Sequence, residues 1–229
     1  MSENPYITPK LFDFFRELTA NNNREWFAAN KPRYEAEVLH PALEFVSVLG
    51  ARLPAFAPRF TAIAKRQGGS LMWVYRDVRF SKNKQPYKTN VGIQFRHEAG
   101  RDVHAPGYYF HIDPDTVFLG AGIWHPERDT LGAIRDEIVE RPRAWRNARD
   151  NREFRKHFEL AGNSLKRPPR GYDAGHPLID DLKRKDFIAI CNLQHADLYR
   201  RTVYDRVADH YASAGAFMRF LCKATNVRF

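Results

Sequence analysis

A chain of 229 residues, 43% hydrophobic and 14% aromatic, has enough apolar surface for a sizeable core, and residues 1–229 are expected to fold as a single domain. The charged fraction of 28% excludes disordered and fibrous classes, and the two cysteines, Cys191 and Cys222, exclude a disulfide framework and any close-spaced zinc or redox motif. A net charge of +10 favours anionic partners without choosing among phosphates, nucleic acids and acidic surfaces. Residues 1–50 carry five Lys/Arg against seven Asp/Glu, so the positive excess lies further along.

Met1-Ser2-Glu3-Asn4-Pro5 lacks the basic and apolar runs of a leader, and no segment approaches the ~20 apolar residues that span a bilayer. The cytoplasm is therefore the expected compartment, with no membrane partner. Thr8 can cap a first helix with Pro9 in its opening turn, and Leu11, Phe14, Phe15 and Leu18 form its apolar stripe. Asn22, with Glu25 three residues on, predicts a capping box for a second helix bearing Trp26, Phe27 and Tyr34, kinked near Pro32. A third helical stretch runs from Leu43 to Leu53 and stops before Pro54.

The period then shortens to two. Leu71–Tyr75, Val91–Phe95, Tyr108–Ile112 and Thr116–Leu119 are β-branched or aromatic runs separated by turn residues, and each predicts a strand. Asp113-Pro114-Asp115 predicts the turn of a hairpin, because Asp bonds its own backbone and Pro presets φ. Beyond Pro126 the helical period returns, with Leu131, Ile134, Ile138 and Val139 on one side. Residues 162–181 read as loop, Phe187–Leu193 as another strand and Tyr204–Leu221 as a last helix. The expected fold is α+β: an antiparallel sheet of about four to six strands with N- and C-terminal helices packed against it.

The segment Arg76 to Lys88 holds five cations, Arg76, Arg79, Lys82, Lys84 and Lys88, against one acid, Asp77. Strand alternation would send Trp73, Tyr75 and Asp77 to one face and Met72, Val74 and Arg76 to the other. Were Asp77 to turn toward Arg79 or a lysine, it would hold the guanidinium fork in place for a phosphate or carboxylate. The plain alternative is a solvated loop whose ion pairs are worth ~0–1 kcal/mol each. The expected ligand residues are Arg76, Arg79, Lys84, Tyr87 and Lys88, with Asp77 and His111 as candidate proton-transfer groups.

His111 and Asp113 would share a strand face with Tyr109 as an acid/base element or as two metal ligands, although His125 or His176 cannot be placed beside them from spacing. A polar sheet face covered by helices is the preferred reading, and no metal or cofactor is expected. Gly120 and Gly122 are wrongly spaced for a dinucleotide fingerprint and suit close approach of an aromatic ring. Arg143, Arg146, Arg149, Arg152 and Arg155 recur every three residues, which on a continuous helix spirals them around the axis and predicts a solvated helix rather than a stripe.

The run Arg76-Asp77-x-Arg79-Phe80-x-x-Asn83-Lys84-x-x-Tyr87 resembles the signature of DUF2461, an uncharacterised bacterial family. The likeness extends to Asn22-Asn23-Arg24-Glu25-Trp26-Phe27, to Gly107–Ile112 and to Lys166-Arg167-Pro168 through His176-Pro177. It implies kinship and no reaction. The family signature looks like Arg-x-x-Arg-Asp at its start, and Trp73 stands at the first arginine position. The expected function is binding of a phosphate- or carboxylate-bearing small molecule, with or without turnover. The alternative is nucleic-acid binding through the basic loop and the arginine-rich stretch from Arg141 to Arg170.

Overall fold

The computed structural model describes residue 4, residues 6–100 and residues 105–229. Met1 to Glu3 and Pro5, within the stretch read above for a leader, lie outside the described residues. Helices α1 (Pro9–Ala20), α2 (Arg24–Ala29) and α3 (Lys31–Tyr34) open the chain, and a π-helical turn at Glu35–Leu39 leads into α4 (His40–Gly50). Pro9 sits in the first turn of α1 as expected, but the Thr8 side chain makes no capping bond. Asn23, not Asn22, caps α2 by accepting from the Trp26 N–H.

Strands β1 (Phe60–Thr61), β2 (Val91–His97), β3 (Gly107–Ile112) and β4 (Val117–Ile123) follow. Next come α5 (Arg128–Glu140), α6 (Pro142–Arg149), α7 (Arg152–His157), β5 (Glu159–Ala161), α8 (Ile179–Leu182) and β6 (Phe187–Asn192). The chain finishes with α9 (His195–Leu198), α10 (Val203–Ser213) and α11 (Gly215–Ala224). The six strands form one antiparallel sheet in the order β1-β2-β3-β4-β6-β5. The fold is therefore α+β, as its two periods predict. Among the described residues no helix is long and apolar enough to cross a membrane.

Three elements differ from expectation. Leu71–Tyr75 is not a strand: its pairing is limited to isolated bridges, Leu71 with Ile93 and Tyr75 with Tyr87, because the chain leaves the β2 edge after Met72 and turns back on itself. The expected final helix is two, α10 and α11, divided at Ala214, where the low helical preference of the following Gly215 weakens continuation. The five arginines spaced by three do not share a helix either, since α6 ends at Arg149 and Asn151 caps a new one. Val139, placed with the apolar stripe of α5, is exposed, whereas Ile134 and Ile138 are buried.

Sheet alternation places the core. Tyr108, Phe110 and Ile112 of β3 and Leu119 and Ala121 of β4 are buried among the helices, with Phe45 of α4 against Phe110 and Tyr211 of α10 against Tyr108. One apolar cluster runs from Ile7 to Cys222. The intervening residues, Tyr109 and His111 on β3, Phe118 and Gly120 on β4, Ile188 and Ile190 on β6, are only partly buried and point to the opposite face.

Gly122 has φ +130°, and a Cβ there would lie 2.0 Å from the Phe187 carbonyl oxygen, so β6 can pair with β4 only across a bare backbone. Gly122→Ala is expected to lower the free energy of unfolding by about 3 kcal/mol or to prevent folding. Urea denaturation, read by tryptophan fluorescence, measures it; a loss within error of zero would refute this account of the strand pair.

Candidate functional site

The opposite sheet face is hollow. A cavity of about 370 Å³ is lined by Gln94 of β2, Tyr109 and His111 of β3, Phe118 of β4 and Ile188 and Ile190 of β6, with Met72 and Trp124 at its sides. The register explains the depression. One cross-strand row reads Gln94, Tyr109, Gly120, Ile190, and its neighbour reads Arg96, Gly107, Gly122, Ile188. Glycines beside the long side chains leave the floor low. Gly120 fits the earlier expectation, since a Cβ there would be 3.4 Å from the Tyr109 Cβ; Gly122 instead meets backbone.

Three polar side chains, Gln94, Tyr109 and His111, interrupt this apolar lining. His111 lies flat on Phe118, with ring centroids 4.7 Å apart and planes at 11°. Its Nε2 is 2.6 Å from Asp113 Oδ2, and its Nδ1 is 3.2 Å from the Tyr109 hydroxyl. Asp113 is anchored by its own turn, where Oδ1 accepts from the Asp115 and Thr116 N–H groups. Burial opposes its charge, but the His111 and backbone hydrogen bonds outweigh burial and hold the carboxyl below the ordinary range. Burial, reinforced by the Asp113 charge, pushes the Tyr109 phenol up to about 12.

An ionised Asp113 accepts from His111 Nε2–H, and in the Nε2–H tautomer of the ring Nδ1 accepts from the phenol. In that tautomer the chain runs from Tyr109 O–H to His111 to Asp113. Among the described residues the helices pack on the Tyr108–Phe110 face, and the face carrying this chain opens into the cavity, which differs from the expectation of a polar face covered by helices. His125 lies elsewhere, its backbone N–H and ring facing the buried Asp186, and His176 Nδ1 accepts from the Leu178 N–H.

Gln94 was missed by sequence reasoning. It is 6% exposed, and its Oε1 has no hydrogen-bond partner. A buried amide oxygen left without a donor is costly. Its position on β2 opposite Tyr109 could have been found only by aligning Gly92-Ile93-Gln94 against Tyr109-Phe110-His111 in antiparallel register.

The basic segment forms an irregular hairpin beside this cavity. Arg76 N–H donates to the Pro86 carbonyl and Lys88 N–H to the Val74 carbonyl. Met72 lines the cavity, and Val74 is two residues further along, at most ~7 Å of chain. Arg76 and Lys88 are close enough that the Lys88 ammonium is pulled below its usual range, first by burial and then by the Arg76 charge. Arg79 closes on Asp77 instead, with Nη2 2.7 Å from Oδ2 and Nε 3.0 Å from Oδ1. That pairing holds Asp77 at about 2, so at neutral pH it is a carboxylate engaged by a cation. Lys84 donates to the Val78 and Arg79 carbonyls of its own loop. Tyr87 is buried and stacks on Phe27, 4.0 Å between centroids. The cavity thus brings His111 together with Tyr109 and Gln94, while Arg76, Asp77, Arg79, Lys84, Tyr87 and Lys88 are outside its lining.

Asn22 fixes the hairpin. Its Oδ1 accepts from the Tyr87 N–H at 3.1 Å and its Nδ2 donates to the Tyr87 carbonyl at 3.0 Å, so one side-chain amide pairs with the backbone as a strand would. Of the cations in the arginine-rich stretch, Arg149 is engaged by Asp150 and Asp181.

The molecule is an α+β protein whose antiparallel sheet carries an apolar cavity with a Tyr-His-Asp hydrogen-bonded chain on its wall. It matches the family described as conserved hypothetical protein, DUF2461, over residues 10–220, and the chain belongs to that family. No curated protein and no solved structure matches it.

Two outcomes follow from this geometry. Asn22→Ala removes two hydrogen bonds worth ~1 kcal/mol each and is expected to lower stability by about 2 kcal/mol. It should also speed tryptic cleavage at Lys82 and Lys84; unchanged proteolysis would show that the hairpin is held by other contacts. A carboxyl depressed in the folded state adds stability that is present above its unfolded value, ~3.9, and is lost as pH falls through the folded value. Asp113→Asn should therefore cost stability at neutral pH, and its deficit relative to the parent should shrink below about pH 4, as urea unfolding across a pH series would record.

Proposed function

We propose that the protein binds a small organic molecule with an apolar body and a phosphate or carboxylate head. The body fills the cavity on the open sheet face. Its volume, about 370 Å³, suits a ligand of one or two rings, and its apolar lining with a few convergent polar groups has the character of a small-molecule site. The single observation carrying this reading is the hollow itself: an apolar cavity on the sheet face whose lining includes the hydrogen-bonded Tyr109 and His111 side chains.

The anionic head is assigned to Arg76 and Lys88. They lie on the hairpin strands that leave and re-enter the sheet beside Met72, and their mutual repulsion is relieved by an anion. Arg79 and Lys84, engaged within the loop, shape it and contribute long-range attraction.

Anilinonaphthalene sulfonate, an aromatic anion, tests this directly. Its fluorescence should rise on binding the native protein and fall when naphthyl phosphate competes. Ile190→Trp, which fills the cavity opposite Gly120, should weaken both by about tenfold or more while circular dichroism stays native. Arg76→Ala should weaken naphthyl phosphate more than uncharged naphthol. Binding that survives Ile190→Trp unchanged would place the ligand elsewhere, and a short oligonucleotide bound with a steep salt slope would favour a nucleic-acid partner.

A further inference from the structure

We propose that the cavity is a catalytic site in which the Tyr109 phenol oxygen takes a proton from the bound molecule while passing its own to His111, backed by Asp113. This rests on the cavity being the ligand site. Its substrate is an apolar molecule carrying an acidic C–H.

The geometry has the three parts that such a step needs. The phenol oxygen lies over Gly92 beside the Met72 sulfur and within reach of His111, and Tyr109, Met72 and His111 all line the cavity. Nδ1 of His111, 3.2 Å from the phenol, accepts the displaced proton. Asp113, 2.6 Å from Nε2, stabilises the imidazolium that forms and fixes the ring so that Nδ1 faces the phenol. The rigidity is built from the strands: His111 rests flat on Phe118, and Asp113 is held by two N–H groups of the turn.

Gly92 is part of the device. It pairs with His111, and a Cβ there would lie 2.8 Å from the Tyr109 hydroxyl and 3.1 Å from the Met72 sulfur. Only a residue without a side chain leaves the phenol where it meets both His111 and the cavity. A phenol kept protonated until it is asked to move its proton is a poor base alone. Coupled to a neutral imidazole it acts without ever becoming a free phenolate. The proton ends on His111 and is released to water after the product leaves, which restores the starting tautomer.

Nitrobenzisoxazole is a suitable probe, being apolar, aromatic and reactive only by proton removal. The base takes the ring C–H proton, its electron pair forms the nitrile, the N–O bond breaks, and the phenolate product is read by its colour. The parent protein is expected to accelerate this opening above buffer. Tyr109→Phe and His111→Gln should each reduce the rate by about a hundredfold or to the buffer level, with anilinonaphthalene sulfonate binding retained. Asp113→Asn should lower the rate while leaving KM for the probe unchanged. The inference is overturned if the parent gives no acceleration while still binding the dye, or if His111→Gln keeps the parental rate. Loss of dye binding by the parent is a separate result, since it removes the cavity reading and this inference with it.

Discussion

The constraint on which the molecule depends is one-sided cover of an antiparallel sheet. In a strand, successive side chains leave opposite faces, and among the described residues the helices pack on the face of Tyr108 and Phe110. Tyr108 and Tyr109 are adjacent and chemically identical, yet one is sealed against Tyr211 and the other stands at the wall of a cavity. The make-up of the open face follows from that parity: Gln94, Tyr109, Gly120 and Ile190 lie in one row because the register makes them partners. A shift by one residue in β3 would send Tyr109 and His111 into the core and bring Phe110 to solvent. The buried row and the cavity-facing row thus enforce each other.

The hairpin of the basic segment is fastened to this sheet from outside it. Asn22, at the junction between α1 and α2, supplies the pair of hydrogen bonds that a neighbouring strand would have given Tyr87. Phe27 then stacks on the Tyr87 ring and Tyr75 packs beside it. Asn22–Phe27 and Arg76–Tyr87, two of the stretches read as resembling the family, are therefore one structural unit. Their likeness marks a joint between the N-terminal helices and the hairpin, and Tyr87 serves that joint with its backbone and ring together.

Much of the fold was legible because period reports burial. The strands around Val91, Tyr108, Thr116 and Phe187 and the helices at Pro9 and Arg128 match their patterns, and the Asp113 turn forms through the bonds its side chain was expected to make. Leu71–Tyr75 had the same aromatic and β-branched character but no partner beyond Leu71, and pairing is not a property of composition. Period two also placed Tyr109, His111 and Asp113 on one face. What it could not tell was which face the helices take, nor that glycines on β2, β3 and β4 would fall near one another. Gln94 was illegible for the same reason. The basic segment is the opposite case: its charge is plain in the sequence, but Arg79 turns inward to Asp77, which only a folded loop reveals.

The apolar character of the cavity is what gives its few polar atoms their force. A hydrogen-bonded chain exposed to water would exchange its partners with solvent, and the pull of Asp113 on His111 would be diluted by the high dielectric. Beside Phe118, Ile188, Ile190 and Met72 that screening is weak, and the same three groups act on one another at close range. Burial, with the Asp113 charge beside it, also raises the cost of a phenolate at Tyr109 and moves its phenol up to about 12. The hollow and the polar chain therefore belong together: glycines make the space, and the apolar lining strengthens the hydrogen bonds that link Tyr109, His111 and Asp113.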